Sequence, residues 1–581
     1  MGVQDRSSSP ASPTLDALDR EIASLETSPP QSSQPALDST TPQADAGTAL
    51  HDSLARRRAV MLGAACVLSV GSHFSTYVLG PIKKTLHTSE GGFAALISAF
   101  ELLNTVTPLV SGFLVPRYGA AACGLVATGA VLLGQIIVCI AQDGEGGVGG
   151  NIGGMVFGLL IFGSGISPLA VVQETIILKH NSSSSKLLAR SVALGLVLGK
   201  TASFAASWSS DRLHSISPRL PFLTAAGLSL FSFTACVLYA AVERSTERLV
   251  SRSATLRPSA DDPAKPLSGE TAHPHRPLHL SALAGFGDSF WMYIAVCGLA
   301  GTWYTSNHLA SHFLQSVYAL PQAEASSKAS LLLATSTFLY PLIGWTLDKR
   351  QELLSKLWVA VPALTAATYF ILLMLSAAIP PILALLPAAI GMGSGPLLLV
   401  LVVPRLVERH QAATALGAHK SLEMAGAIIF QTVCGLLLSL GSSTSPDDPD
   451  EPNDPADADY ALSFLFVVAL VMLAVVVRWW VVIRRKEAAA PVQEEERGAG
   501  RDEAEYGLLE ARSDEEDSPE RAGGAGVSAG AATRREDEQD GLAGGLGRRE
   551  REELRRGKRA LKVAAGVVVL SWGCFVVNLL R

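Results

Sequence analysis

Twelve stretches of predominantly apolar residues, each 18 residues or longer, constrain this chain more than any other feature. They lie near 59–82, 92–115, 119–141, 152–178, 187–208 and 219–242, then, after a polar break, near 288–314, 325–347, 357–378, 381–404, 412–440 and 460–483. A helix of about 20 apolar residues crosses a hydrocarbon layer roughly 30 Å thick. Within that layer only helices and closed barrels satisfy their own backbone hydrogen-bonding groups. Each stretch therefore predicts a transmembrane helix, six in each half of the chain. Composition agrees: hydrophobic residues make up 48 % of the chain and charged residues only 17 %. The mean hydropathy of +0.31 includes long polar tails, so the remainder is too apolar for a soluble core.

The polar segments divide the chain. Residues 1–55 are rich in Ser, Pro, Thr and Asp without apolar periodicity, which predicts a disordered tail. No cleavable leader is expected, because the first apolar run begins only near Ala59. The N-terminal half is assigned to 56–242, a Pro-rich linker to 243–287, the C-terminal half to 288–486, and a disordered charged tail to 487–558. Residues 559–581 end in an apolar run with Trp572, read as a thirteenth transmembrane helix, with a helix lying on the membrane surface as the rival. Basic residues collect on alternate loops, at Arg117, Lys179, Lys186, Arg190, Lys349, Arg350, Lys356, Arg405 and Arg409. The positive-inside rule then places both ends of the twelve-span core in the cytoplasm.

Two loops carry a recognisable pattern. Gly112-Phe-Leu-Val-Pro-Arg117-Tyr-Gly119 follows span two, and Gly344-Trp-Thr-Leu-Asp348-Lys-Arg350 follows span eight. Both resemble the loop signature of the major facilitator superfamily, although Pro116 stands where its Asp is expected. The resemblance covers about 59–483 and implies an all-α integral membrane fold with six plus six helices in two pseudo-symmetric halves. It also implies that Gly112, Arg117, Gly344, Asp348 and Arg350 form a conformational latch. Two further segments, Leu169-Ala-Val-Val-Gln173 with Glu174 and His410-Gln411…Thr414-Ala-Leu-Gly417…Ser421…Gly426, resemble the lysosomal dipeptide-transporter branch. That branch carries an acid where Ser167 stands here. The likeness implies a carrier of dipeptides or amino acids in a vacuolar or lysosomal membrane rather than the plasma membrane.

Ionisable groups inside apolar spans cost several kcal/mol and mark functional candidates. They are Glu101 in span two, Glu174 in span four, Lys200 in span five, and Lys420 with Glu423 in span eleven. The last two, three apart, share a helix face. They could bind a substrate terminus or a proton, or form an internal ion pair between helices. His73 and Tyr77 share a face of span one, and His308 lies on the pseudo-equivalent span seven. Each is a cavity candidate or a buried polar group satisfied by a neighbouring helix. Gln173 could bond a polar substrate or join helices.

No basic field suggests nucleic acid, and no nucleophile–base pair, metal-ligand spacing or cofactor motif suggests an enzyme. The expected partners are a small-molecule substrate, protons as a coupling option, and the lipid bilayer. Tyr506-Gly-Leu-Leu509 matches a tyrosine-type signal for a sorting adaptor, and an accessory membrane subunit stays open. Two function classes remain: an alternating-access carrier, with sugars or monocarboxylates as other cargoes, and a receptor or trafficking scaffold that keeps the fold.

Overall fold

A computed structural model describes residues 42–79, 101–142, 151–181, 187–255, 280–441, 458–485 and 529–580. The tail and linker stretches 1–41, 256–279 and 486–528, the first part of span two, and the Tyr506 motif lie outside the described residues. Eleven helices among the described residues are long and apolar enough to cross a membrane, from Asp52–Thr76 to Arg551–Val577. Span two is described from Glu101 and helical over Thr107–Tyr118. Span seven is split into Gly287–Ala300 and Thr302–Tyr318.

The split has a steric cause. A Cβ on Gly301 would lie 2.2 Å from the backbone N of Ala427, and one on Gly426 would lie 1.9 Å from the Gly298 carbonyl. Spans seven and eleven therefore cross with backbones in contact, which only glycine at both faces allows. Large side chains such as Val126, Phe338 and Val569 point outward with more than 70 % of their surface exposed. On a water-soluble protein such a girdle would be an aggregation surface; here it suits lipid tails. Span ten (Pro381–Leu406) is the most enclosed of the eleven, and the C-terminal helix Arg551–Val577 lies at the periphery.

Two helix pairs carry the most extensive packing between the halves. Span two packs on span eleven, where Gly112 and Gly417 face each other and Thr414 Oγ1 donates to the Gly112 carbonyl at 2.9 Å. Span five (Leu188–Ile216) packs on span eight (Leu331–Lys349), with Gly344 against Ala189 and Ala193. Both pairs close the bundle at the end that carries the basic loops. The Thr414, Gly417, Ser421 spacing of i, i+3, i+7 is thus the face of span eleven that meets span two; Ser421 Oγ donates to the Thr105 carbonyl.

The C-terminal helix runs beside spans seven and eleven. Near its start, Arg556 pairs with Asp288 at 3.0 Å, and Gly557 sits against the Ala284 carbonyl. Farther along, Trp572 Nε1 donates to Thr105 Oγ1 at 2.8 Å, which joins this helix to the N-terminal half.

Candidate functional site

Span eleven brings a charged cluster to the middle of the bundle. Its one-helix spacing places His419, Lys420 and Glu423 within a single turn of one another. Lys420 Nζ lies 3.1 Å from Glu423 Oε2 and 3.8 Å from Glu174 Oε1 of span four. The second contact crosses from the C-terminal to the N-terminal half. Glu423 and His419 side chains are fully enclosed, and Lys420 is 13 % exposed. One ammonium is thus shared by two carboxylates, an arrangement in which attraction must offset a large desolvation penalty.

His419 extends the cluster to span seven. Its Nε2 lies 3.4 Å from Glu423 Oε2, and its Nδ1 is 2.9 Å from the Tyr293 hydroxyl. Tyr293 Oη also lies 3.1 Å from the Leu399 carbonyl in span ten. Glu423 Oε1 and Glu174 Oε2 are buried without a hydrogen-bond partner among the described residues.

Lys200 of span five lies within reach of the charges of Lys420 and Glu423, yet no carboxylate stands at ion-pair distance from it among the described residues. His73 of span one feels both lysines. Its ring rests on Gly199, where a Cβ would meet Cδ2 at 2.7 Å, and its Nδ1 is 3.2 Å from Ser203 Oγ. Tyr77, Tyr304 and Tyr340 interact electrostatically with one another around Lys420 and Glu423. Glu101 is half-buried and acts on Tyr77.

Other candidates turn elsewhere. Gln173 Nε2 donates to the Cys66 carbonyl of span one at 3.4 Å. His308 Nδ1 is 2.9 Å from Gln431 Nε2, about two turns beyond Glu423 on span eleven. Of the loop residues, Asp348 is central. It accepts from the backbone N–H groups of Ala189 (2.9 Å) and Arg190 (3.3 Å), and the Arg190 guanidinium lies 3.2 Å from it. Span five has no side-chain cap of its own, so an aspartate from the opposite half satisfies its orphan N–H groups. Gly112 and Gly344 sit in the two helix crossings described above. Arg117 is exposed over the Tyr118 ring, and Arg350 is exposed away from this contact.

Sequence reasoning passed over His419 and Tyr293, and placed Arg190 only among the basic loop residues. The i, i+4 spacing of His419 and Glu423 was available as a signal; the roles of Tyr293 and Arg190 depend on packing between distant spans. Among the described residues no group of three or more His, Cys, Asp or Glu side chains is placed to hold a metal ion.

The fold has counterparts among solved structures. The chain is similar to the crystal structure of a bacterial homologue of the iron transporter ferroportin in an outward-facing state, with TM-score 0.51 and 10 % identity over 73 % of this chain and 99 % of that one. It is also similar to the human organic anion transporter MFSD10 (TETRAN), with TM-score 0.51 and 11 % identity over 72 % of this chain and 99 % of the other. No family model and no curated protein matches the sequence. At such identities the likeness is one of fold. The chain has the all-α major facilitator fold of a multi-pass membrane protein.

Proposed function

We propose that the chain is a secondary transporter that moves a small polar solute by alternating access. The observation that carries this reading is the ion pair between Lys420 and Glu174, which joins the two halves in mid-bundle. A scaffold has no use for charges that cost several kcal/mol to bury, whereas a carrier needs groups whose pairing changes as the halves rock. The contacts at the basic end, taken as cytoplasmic, make this the conformation closed on that side.

Within the site, Lys420 is already neutralised by two carboxylates, so it serves as a link between halves. Lys200 is the lysine left to receive an anionic group of the substrate, and Glu101 and the tyrosines offer acceptors and donors for its remainder. A zwitterion such as a dipeptide or amino acid meets both signs of charge. The resemblance of the span-four and span-eleven segments favours that cargo and a vacuolar or lysosomal membrane.

Uptake into liposomes bearing the purified chain, with alanylalanine, alanine, lactate and glucose offered in turn, tests the reading. Carboxylate-bearing solutes should accumulate, and Lys200→Met should abolish their uptake without loss of protein. Uptake of none of the four would remove the transporter assignment. Glucose transport that survives Lys200→Met would remove the anionic-substrate assignment.

A further inference from the structure

We infer that His419 is a proton-carrying residue of the transport cycle, coupled to the substrate site through the Glu423 oxygen that it shares with Lys420. The inference rests on the transporter reading above. It begins with the Tyr293 hydroxyl, which has one hydrogen and two partners: His419 Nδ1 at 2.9 Å and the Leu399 carbonyl at 3.1 Å.

With a neutral imidazole, the hydroxyl donates to the Nδ1 lone pair, and Nε2 lies 3.4 Å from Glu423 Oε2 without a hydrogen bond. When a proton adds at Nδ1, the hydroxyl hydrogen turns to the Leu399 carbonyl and Tyr293 Oη accepts from Nδ1–H. No covalent bond other than the new N–H forms, and no heavy atom need move. On the Nδ1 side both protonation states therefore keep the Tyr293 hydroxyl hydrogen-bonded, while Nε2 is a buried ring nitrogen without a hydrogen bond that faces Glu423 Oε2, the carboxylate an added charge would draw closer.

The second half of the inference concerns Glu423 Oε2, which faces His419 Nε2 at 3.4 Å and Lys420 Nζ at 3.1 Å. An imidazolium makes the Nε2–H contact charge-assisted and shorter. It then competes with Lys420 for the same oxygen, which releases the ammonium toward Glu174 and tightens the link to the opposite half. Protonation thus biases the bridge that joins the halves, and deprotonation returns Lys420 to Glu423. The other groups placed to act on this site are Glu174 of span four and Cys297 beside Tyr293 in span seven. Trp358 of span nine stacks behind Tyr293, with ring centroids 6.4 Å apart. A protonated histidine next to Glu423 also offsets charge that Lys420 alone must share between two carboxylates.

The test uses the full chain in liposomes that enclose a pH-sensitive dye, with alanylalanine, alanine, lactate and glucose as probes. Two quantities are read: uptake of labelled solute with the interior pH change, and solute exchange at equal pH on both sides. In the wild-type protein the transported solute should carry protons with it. His419→Gln keeps a hydrogen-bonding side chain that cannot be protonated; the protons moved per solute taken up should fall to none, at whatever rate exchange then runs. Tyr293→Phe removes the acceptor that the protonated ring needs, so the pH midpoint of uptake should move downward. If no probe enters, the transporter reading itself fails. If a probe enters the wild-type liposomes without a pH change, transport stands and the inference is overturned. A His419→Gln protein that still moves protons also overturns it. Where that variant does not fold, an unmoved midpoint in Tyr293→Phe does so instead.

Discussion

At the scale of single residues, burial decides what each charge can do. Lys420 and Glu423 share a contact of 3.1 Å with the carboxylate fully enclosed. Removing one partner leaves the other charge buried and uncompensated, which costs roughly 3–5 kcal/mol, whereas removing both is close to neutral. Lys420→Met should therefore lower the melting temperature and yield of the purified protein. Because Lys420 serves two carboxylates, Lys420→Met with both Glu423→Gln and Glu174→Gln should recover both without recovering transport. Normal stability in the single variant would show that the pair does not hold the helices. Asp348 acts at the same scale by a different route, since it caps a helix of the opposite half. Loss of a cap costs about 0.5–2 kcal/mol, and here the cost falls on one conformation only. Asp348→Ala should slow turnover with little change in substrate affinity, measured as Vmax and KM of uptake. Equal loss in both would mean that Asp348 supports the site and not the latch.

At the scale of helices, close crossings and the C-terminal helix set the arrangement. A Cβ on Gly426 would lie 1.9 Å from the Gly298 carbonyl, a backbone atom that cannot swing aside. Gly426→Ala should force spans seven and eleven apart and cut the yield of folded protein, read by size-exclusion chromatography in detergent. The C-terminal helix is held to the C-terminal half by Arg556 and Asp288, and touches the N-terminal half through Trp572 and Thr105. It therefore acts as a clip across the two halves. A hydrogen bond of this kind contributes about 1 kcal/mol. Trp572→Phe should shift the balance of conformations roughly fivefold away from the state closed at the basic end. The change would register as faster labelling of a cysteine placed at Ala413. Unchanged labelling would mean that the helix is a passive anchor.

At the scale of the whole molecule, the six-plus-six plan was legible because a membrane span needs its own uninterrupted apolar length, and that requirement is local to each stretch. The break at Gly301 was not legible, because its cause is Gly426 on another helix. Asp348 and Gly344 stood out in the sequence through a pattern that recurs in the N-terminal half with Pro116 in the place of the acid. The cation that meets Asp348 is Arg190, brought there by the packing of span five on span eight, and no spacing along the chain announces it. His419 was hidden beside the more conspicuous Lys420, although its four-residue step to Glu423 is a local signal. Polar residues of span eleven also divide by face: Thr414, Gly417 and Ser421 meet span two, while His419, Lys420 and Glu423 meet the charged interior. A helix periodicity applied to that segment separates the two sets; the motif taken as one unit does not.

The central claim is that the two halves rock about the charged cluster. Spin labels at Tyr118 and Arg350, exposed at the basic end on opposite halves, report the distance between them by double electron–electron resonance in lipid nanodiscs. The account predicts one short distance for the closed state and a second, longer population that grows when the transported solute is added and changes again in Asp348→Ala. A single distance, unmoved by solute and by that substitution, would contradict alternating access.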